Sequence, residues 1–166
     1  MPTTVHIPLA LSAVNMADAN CFWTAKDGTN FDYGCLAFKD AALGKALFWG
    51  IVPKNLAATP AWNLILHHKA ASGTGGNVVL TVKAKDVPTA TALDAALTAL
   101  HSSTAFAVET SANLTITTLS GTNYDSAEAI AAGNLLLVEV SREAADVNDT
   151  VNAEWNLLAL VVRVDV

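Results

Sequence analysis

The stretch Ala61-Trp-Asn-Leu-Ile-Leu-His-His-Lys-Ala70 alternates apolar and polar side chains with a period of two. Trp62, Leu64 and Leu66 fall on one face and Asn63, His67 and Lys69 on the other, with Ile65 the exception. Ser72-Gly-Thr-Gly-Gly76 turns the chain, and Asn77-Val-Val-Leu-Thr-Val-Lys-Ala84 answers with Val78, Leu80 and Val82 on one face. Side chains on a strand alternate between its faces, so this pattern predicts half-buried strands, and the glycine-rich link predicts a β-hairpin.

The same rhythm recurs on both sides. Val5, Ile7, Leu9 and Leu11 alternate with His6, Pro8, Ala10 and Ser12, and Pro8, which lacks an N–H, predicts a sheet edge. Cys21 to Ala25 reads as a short strand, closed by Lys26-Asp-Gly-Thr-Asn30 in a hairpin turn. Tyr33 to Phe38 and Leu47 to Val52 are apolar runs, the second ended by Pro53. Leu114 and Ile116 alternate with Thr115 and Thr117. Leu136, Val138 and Val140 face inward on a late strand, and Leu158, Leu160, Val162, Val164 and Val166 line one face of a long closing strand. Thr89 to His101 differs, because Leu93, Ala96, Leu97 and Leu100 stand at helical spacing and predict a helix across one end of the sheets. Ser126 to Ala132 predicts one more helical turn before Gly133. Eight or nine short strands without alternating helices imply an all-β fold, an antiparallel jelly-roll-like β-sandwich with one or two short helices. The length suits one domain over residues 1–166, with 1–17 an N-terminal arm or edge strand.

The chain has 52% hydrophobic and only 14% charged residues, thin cover for a lone domain, and this predicts surface buried against partners or sister copies. A net charge of −6, with nine Lys and Arg scattered singly, argues against nucleic acid. No basic start precedes the apolar run Ile7 to Val14, and no segment supplies about 20 uninterrupted apolar residues, so a soluble, unprocessed chain is expected. Cys21 and Cys35 lack metal or redox spacing; buried thiols are expected, with a disulfide the alternative.

Catalytic signatures are missing. His67 and His68 are adjacent and so point to opposite faces of a strand, while His6 and His101 lie on remote segments, and surface or strand-edge histidines are the expectation. Glu143, Asp146, Asp149 and Glu154 match no calcium-loop spacing and predict a solvated loop. Asp32 and Asp40 make a glycosidase-like carboxylate pair only if the fold brings them together. Ser72 to Gly76 lacks the ending of a phosphate loop, and no nucleophile elbow, zinc-protease or dinucleotide motif is present. Asn113-Leu-Thr115 and Asn148-Asp-Thr150 match the glycosylation triplet, which matters only in a secreted eukaryotic protein. No catalytic residue, metal or cofactor is expected. Trp23, Trp49, Trp62 and Trp155 remain, with Trp49 and Trp62 inside apolar runs where core filling is expected; exposed aromatics would instead suit sugar stacking.

Ala46-Leu-Phe-Trp-Gly-Ile-Val-Pro53, Trp62-Asn-Leu-Ile-Leu66, Gly76-Asn-Val-Val-Leu-Thr-Val82, the Leu136 to Arg142 strand, Asp149-Thr150 and the long closing strand resemble a pattern of small tailed-phage virion proteins. The likeness spans Ala46 to Val166. It implies a capsid cement or decoration protein, a non-enzymatic β-sandwich homotrimer on the virion surface, held to the major capsid protein. Thr3 to Leu11 could then pair with a neighbour's sheet, placing Val5, Ile7, Leu9 and Leu11 at an interface. A carbohydrate- or receptor-binding module of a fibre or tail is the alternative, resting on the same sandwich with exposed Trp and Tyr.

Overall fold

The computed structural model describes residues 4–14, 20–27, 30–40, 42–54, 62–72, 75–93, 96–109, 113–119 and 130–165. They form eleven strands: β1 (Thr4–Pro8), β2 (Ala10–Val14), β3 (Cys21–Lys26), β4 (Tyr33–Phe38), β5 (Gly44–Ile51), β6 (Trp62–Ala70), β7 (Gly76–Val87), β8 (Thr98–Val108), β9 (Thr115–Leu119), β10 (Leu135–Arg142) and β11 (Trp155–Asp165). One sheet runs β3-β4-β11-β6-β9, with β1 also on β11; the other runs β2-β5-β10-β7-β8. Every pairing is antiparallel. The molecule is an antiparallel β-sandwich, and from β4 onward the chain mostly steps from one sheet to the other.

The period-two pattern decides which face of each strand is buried. Trp62, Leu64, Leu66, His68 and Ala70 of β6 meet Val78, Leu80, Val82 and Ala84 of β7 and Leu136, Val138 and Val140 of β10 across the core. β10 is paired without interruption on both sides, which suits its nearly continuous apolar sequence. Pro8 lies on β1, which pairs only with β11, as the missing N–H predicts.

Three expectations change. β6 and β7 do not form a hairpin: β6 pairs with β11 and β9, β7 with β10 and β8, and the link crosses between sheets through Gly75 at φ 82°. Two strands with one apolar face each bury them equally well side by side or facing, and only the wider sheet pairing decides. Among the described residues of Thr89 to His101 there is no helix. Residues 88–93 form turns, and Thr98 to His101 begin β8, because the edge of the long strand β7 offers a ladder that local Ala and Leu propensity does not outweigh. Among the described residues there is no helix; Ser126 to Glu128 and residue 129 lie outside them, and Ala131 to Gly133 form a turn. Finally, Leu158 is not on the inward face of β11. A bulge between Leu157 and Ala159 shifts the phase by one, so Trp155 and Leu157 point inward before it and Leu160, Val162 and Val164 after it.

The loop between β10 and β11 is tied down by a buried guanidinium. Arg142 is fully buried and donates through Nε to Asp149 Oδ2 (3.0 Å) and through Nη2 to Asp149 Oδ1 (2.8 Å). Its remaining N–H groups reach the carbonyls of Phe38, Lys39, Ala153 and Val151 at 2.6–3.3 Å. One side chain thus joins the end of β4 to both limbs of the loop.

Candidate functional site

Two of the four tryptophans, Trp62 and Trp155, are buried, while Trp23 is 61% and Trp49 40% exposed. Trp49 therefore departs from the core-filling expectation. Along β5, Ala46, Phe48 and Gly50 face the core, so Lys45, Leu47, Trp49 and Ile51 face out. The register places Trp49 between Ala10 of β2 and Leu137 of β10, with Lys85 of β7 beyond Leu137. On one side of this row stand Leu47, Glu139 and Lys83, and on the other Ile51, Leu135 and Val87. Small Ala10 leaves one flank of the indole open, and the leucines give it an apolar floor.

This face runs into a cavity of about 300 Å³ at the end of the sandwich, whose lining includes Ile51, Leu135, Leu93, Thr89, Thr91 and Asn134. The wall is held by Asp86, which accepts from Asn134 Nδ2 at 2.6 Å and from Ala131 N at 3.3 Å. Gly133, at φ 84°, donates to the Val52 carbonyl and closes the turn onto β5. The opposite rim is the turn Pro88 to Thr91, in which Thr91 N donates to Pro88 O at 3.2 Å and Ala90 stands at φ 68°. That third turn position favours glycine, so Ala90 carries strain beside the cavity. Ala90→Gly is expected to raise stability by about 1 kcal/mol in urea unfolding; an unchanged or lower midpoint would show that the turn holds Ala90 without strain.

The second exposed ring is set differently. A Cβ on Gly34 would meet Trp23 Cζ2, so the indole lies against the bare backbone of β4. Beside it is a cavity of about 240 Å³ lined by Leu9, Leu11, Leu36, Phe48 and Leu157 to Leu160. This lining offers no side-chain hydroxyl, amide or charge. Around Trp49 and the neighbouring cavity, by contrast, an aromatic face, hydroxyls, an amide and charges occur on one face, the mixture that orients a polar ligand with apolar patches.

The other candidates scatter. His68 is buried in the core, not at the surface: Trp155 Nε1 donates to its Nδ1 at 3.0 Å, and its Nε2 lies 2.8 Å from Thr117 Oγ1. Burial, with the neighbouring His67 adding to it, lowers its pKa to about 4. His67 lies on the opposite face, as expected, His6 is exposed on β1 and His101 belongs to β8. In the acidic segment Asp149 binds Arg142, Asp146 accepts from Asn148, and Glu154 pairs with Lys26 at 2.8 Å. Among the described residues no three potential ligands converge on a metal position. Asp32 and Asp40 flank opposite ends of β4. Cys21 and Cys35 are free and buried; their partners across the β3–β4 ladder are Phe38 and Thr24, which puts them on opposite faces and rules out the disulfide. Burial pushes the Cys21 thiol up to about 12 and raises that of Cys35, so both stay protonated. Val5, Ile7, Leu9 and Leu11 pack against the chain's own core, Ile7 buried, and β1 and β2 pair with β11 and β5.

Sequence reasoning missed the site because the indole of Trp49 lies in an apolar run; its odd-numbered place opposite Phe48 and Ala46 was the available signal.

No protein-family model and no curated protein matches the chain. Among solved structures it is similar to the isomalto-dextranase of Arthrobacter globiformis T6, solved with panose, at 15% identity over 96% of this chain, with a TM-score of 0.54. The chain spans 23% of that enzyme's length. It also aligns with CBM35 from Paenibacillus barcinonensis (16% identity, 96% of this chain and 97% of that one, TM-score 0.44). A third alignment is with the CBM22-1 xylan-binding domain of Xyn10C from the same organism (14%, 87% and 80%, TM-score 0.42). At such identities the first likeness is one of fold, the antiparallel β-sandwich.

Proposed function

We propose that this chain is a carbohydrate-binding module that holds a glycan on the outer face of the β2-β5-β10-β7-β8 sheet without chemically changing it. The observation that carries the reading is Trp49, displayed on that face beside small Ala10 and one row along the sheet from Ile51 and Leu135, which line a cavity bearing Thr89, Thr91 and Asn134. An indole stacks on the C–H face of a sugar ring, and hydroxyls and amides fix its orientation. A retaining or inverting glycosidase needs two facing carboxylates, whereas Glu139 is the one carboxylate among the described outward-facing residues of these strands. The fold likeness to part of an isomalto-dextranase makes an α-glucan a reasonable probe. The virion cement expectation shares the sandwich and rests on strand motifs, thin charge and the N-terminal arm; the outward ring favours the glycan.

Affinity electrophoresis and calorimetry with a panel of soluble polysaccharides, dextran among them, test the proposal. Trp49→Ala is expected to weaken binding about 30-fold or more, the effect of losing a hot-spot aromatic of about 2 kcal/mol, while Trp23→Ala leaves binding in place. Failure of every polysaccharide to bind, with a trimer mass by light scattering, would return the cement reading.

A further inference from the structure

Asn156 is 1% exposed, yet neither its Oδ1 nor its Nδ2 has a hydrogen-bond partner among the described residues. Buried amides are nearly always paired, because a donor and an acceptor taken out of water without replacement cost stability. Trp155 and Leu157 point into the core, so the Asn156 side chain stands on the outer face of the β3-β4-β11-β6-β9 sheet, between Ala37 of β4 and Lys69 of β6. Cys35 and Ala37 share that outer face, since Leu36 and Phe38 point inward, and both are nevertheless fully covered. Two pairs of longer side chains stand over this patch. Lys69 Nζ donates to Tyr33 Oη at 3.0 Å and lies 5.4 Å from the ring centroid, and Lys26 Nζ pairs with Glu154 at 2.8 Å. Burial raises the pKa of the Cys35 thiol, and Lys26, Glu154 and Lys69 all act on it through space, which gathers the two pairs around one point.

We propose that Asn156 is the floor of a second ligand site, closed by the Lys69–Tyr33 pair and opened by a pyranose sugar. The site lies on the sheet opposite Trp49 and does not rest on the reading of that face. A carboxamide with both its donor and its acceptor free matches two adjacent hydroxyls, one donating to Oδ1 and the other accepting from Nδ2. A carboxylate ligand would meet Nδ2 but set a second acceptor against Oδ1. Swinging Lys69 aside uncovers the amide and the face of Tyr33 together, and an aromatic face beside paired polar contacts is what holds a sugar ring. The flexible lysine stem makes that movement easy. Lys26 and Glu154, which neutralise each other, flank the opening with a further donor and acceptor. In the closed state the unpaired amide is a cost to the fold that the bound sugar removes.

Titration of the isotope-labelled full chain with glucose, galactose, mannose and xylose, followed through the NMR signals of its side-chain amides, tests the site directly. The Asn156 pair of N–H signals, assigned by its loss in Asn156→Leu, is expected to shift with at least one of these pyranoses and to stay in place with sorbitol, an open-chain polyol. Tyr33→Leu should weaken that binding about tenfold, and Trp49→Ala should leave it unchanged. Asn156→Leu keeps the branched shape and removes the unpaired polar atoms, so it should abolish the binding and raise the thermal midpoint by about 2–4 °C. Lower midpoints in both Asn156→Leu and Asn156→Val would show that the amide serves the fold and would overturn the proposal. So would the absence of any shift with the four sugars, or equal shifts with sorbitol, and neither result bears on binding at Trp49.

Discussion

Arg142→Met should cost this fold about 3–5 kcal/mol, a large part of the roughly 5–15 kcal/mol that holds a domain together. The cost comes less from the ion pair than from what its loss leaves behind. Asp149, whose side chain is only 1% exposed, would become an unpaired buried carboxylate, and the carbonyls of Phe38, Lys39, Ala153 and Val151 would lose their donor together. Lysine cannot repair this, since one ammonium lacks the planar fork that meets both oxygens of Asp149. Asp149 also accepts from Val79 N at 3.1 Å, so the damage reaches β7. Urea unfolding gives the number directly. A loss below about 1 kcal/mol for Arg142→Met would show that the loop closes without its clamp. Replacing both partners, Arg142→Met with Asp149→Leu, should recover part of the stability, because two apolar groups leave no orphaned charge.

Acid should unlock the core through His68. The indole N–H of Trp155 can only donate, so Nδ1 of His68 must be the unprotonated acceptor and Nε2 the nitrogen that donates to Thr117. Adding a proton at Nδ1 sets two donors against each other among Trp155, Phe106 and Phe38. The folded pKa of about 4 lies below the ordinary 6.5, so the unfolded chain takes up the proton first as pH falls. Stability from this group is complete above pH 6.5, is lost as pH drops toward 4, and the loss levels off below that at about 3 kcal/mol. His68→Gln cannot be charged and should flatten the difference in stability between pH 7 and pH 4 by that amount, whatever its own cost at neutral pH. Parallel pH profiles for the two proteins would show that the histidine already accepts a proton in the folded state.

His68 also illustrates what a period of two conveys. Counted with Leu64, Leu66 and Ala70, it falls on the buried face of β6, a placement legible from the sequence once a strand is granted; reading histidine by its usual polarity led to the surface instead. Trp49 erred in the opposite direction, since an apolar neighbourhood suggested the core while the alternation with Phe48 and Ala46 already put the ring outside. The thin charge that suggested buried partner surfaces is also unevenly spread. Lys45, Lys83 and Lys85, far apart in sequence, share one outer face because β5 and β7 both flank β10.

Alternation of side-chain type determined by itself that this chain is built mostly of strands and, for most of the strands it marked, which face is buried, because those properties depend on local backbone geometry and transfer from water. Which strand lies beside which was decided only by tertiary structure. The partnership of β6 with β11, the strand that replaced a helix at β8, the phase shift at Leu157, and the alignment of Trp49, Leu137 and Lys85 in one row all depend on ladders between residues far apart in the chain. A strand's own sequence specifies its apolar face but not the backbone that completes its hydrogen bonds, and that choice belongs to the whole sandwich.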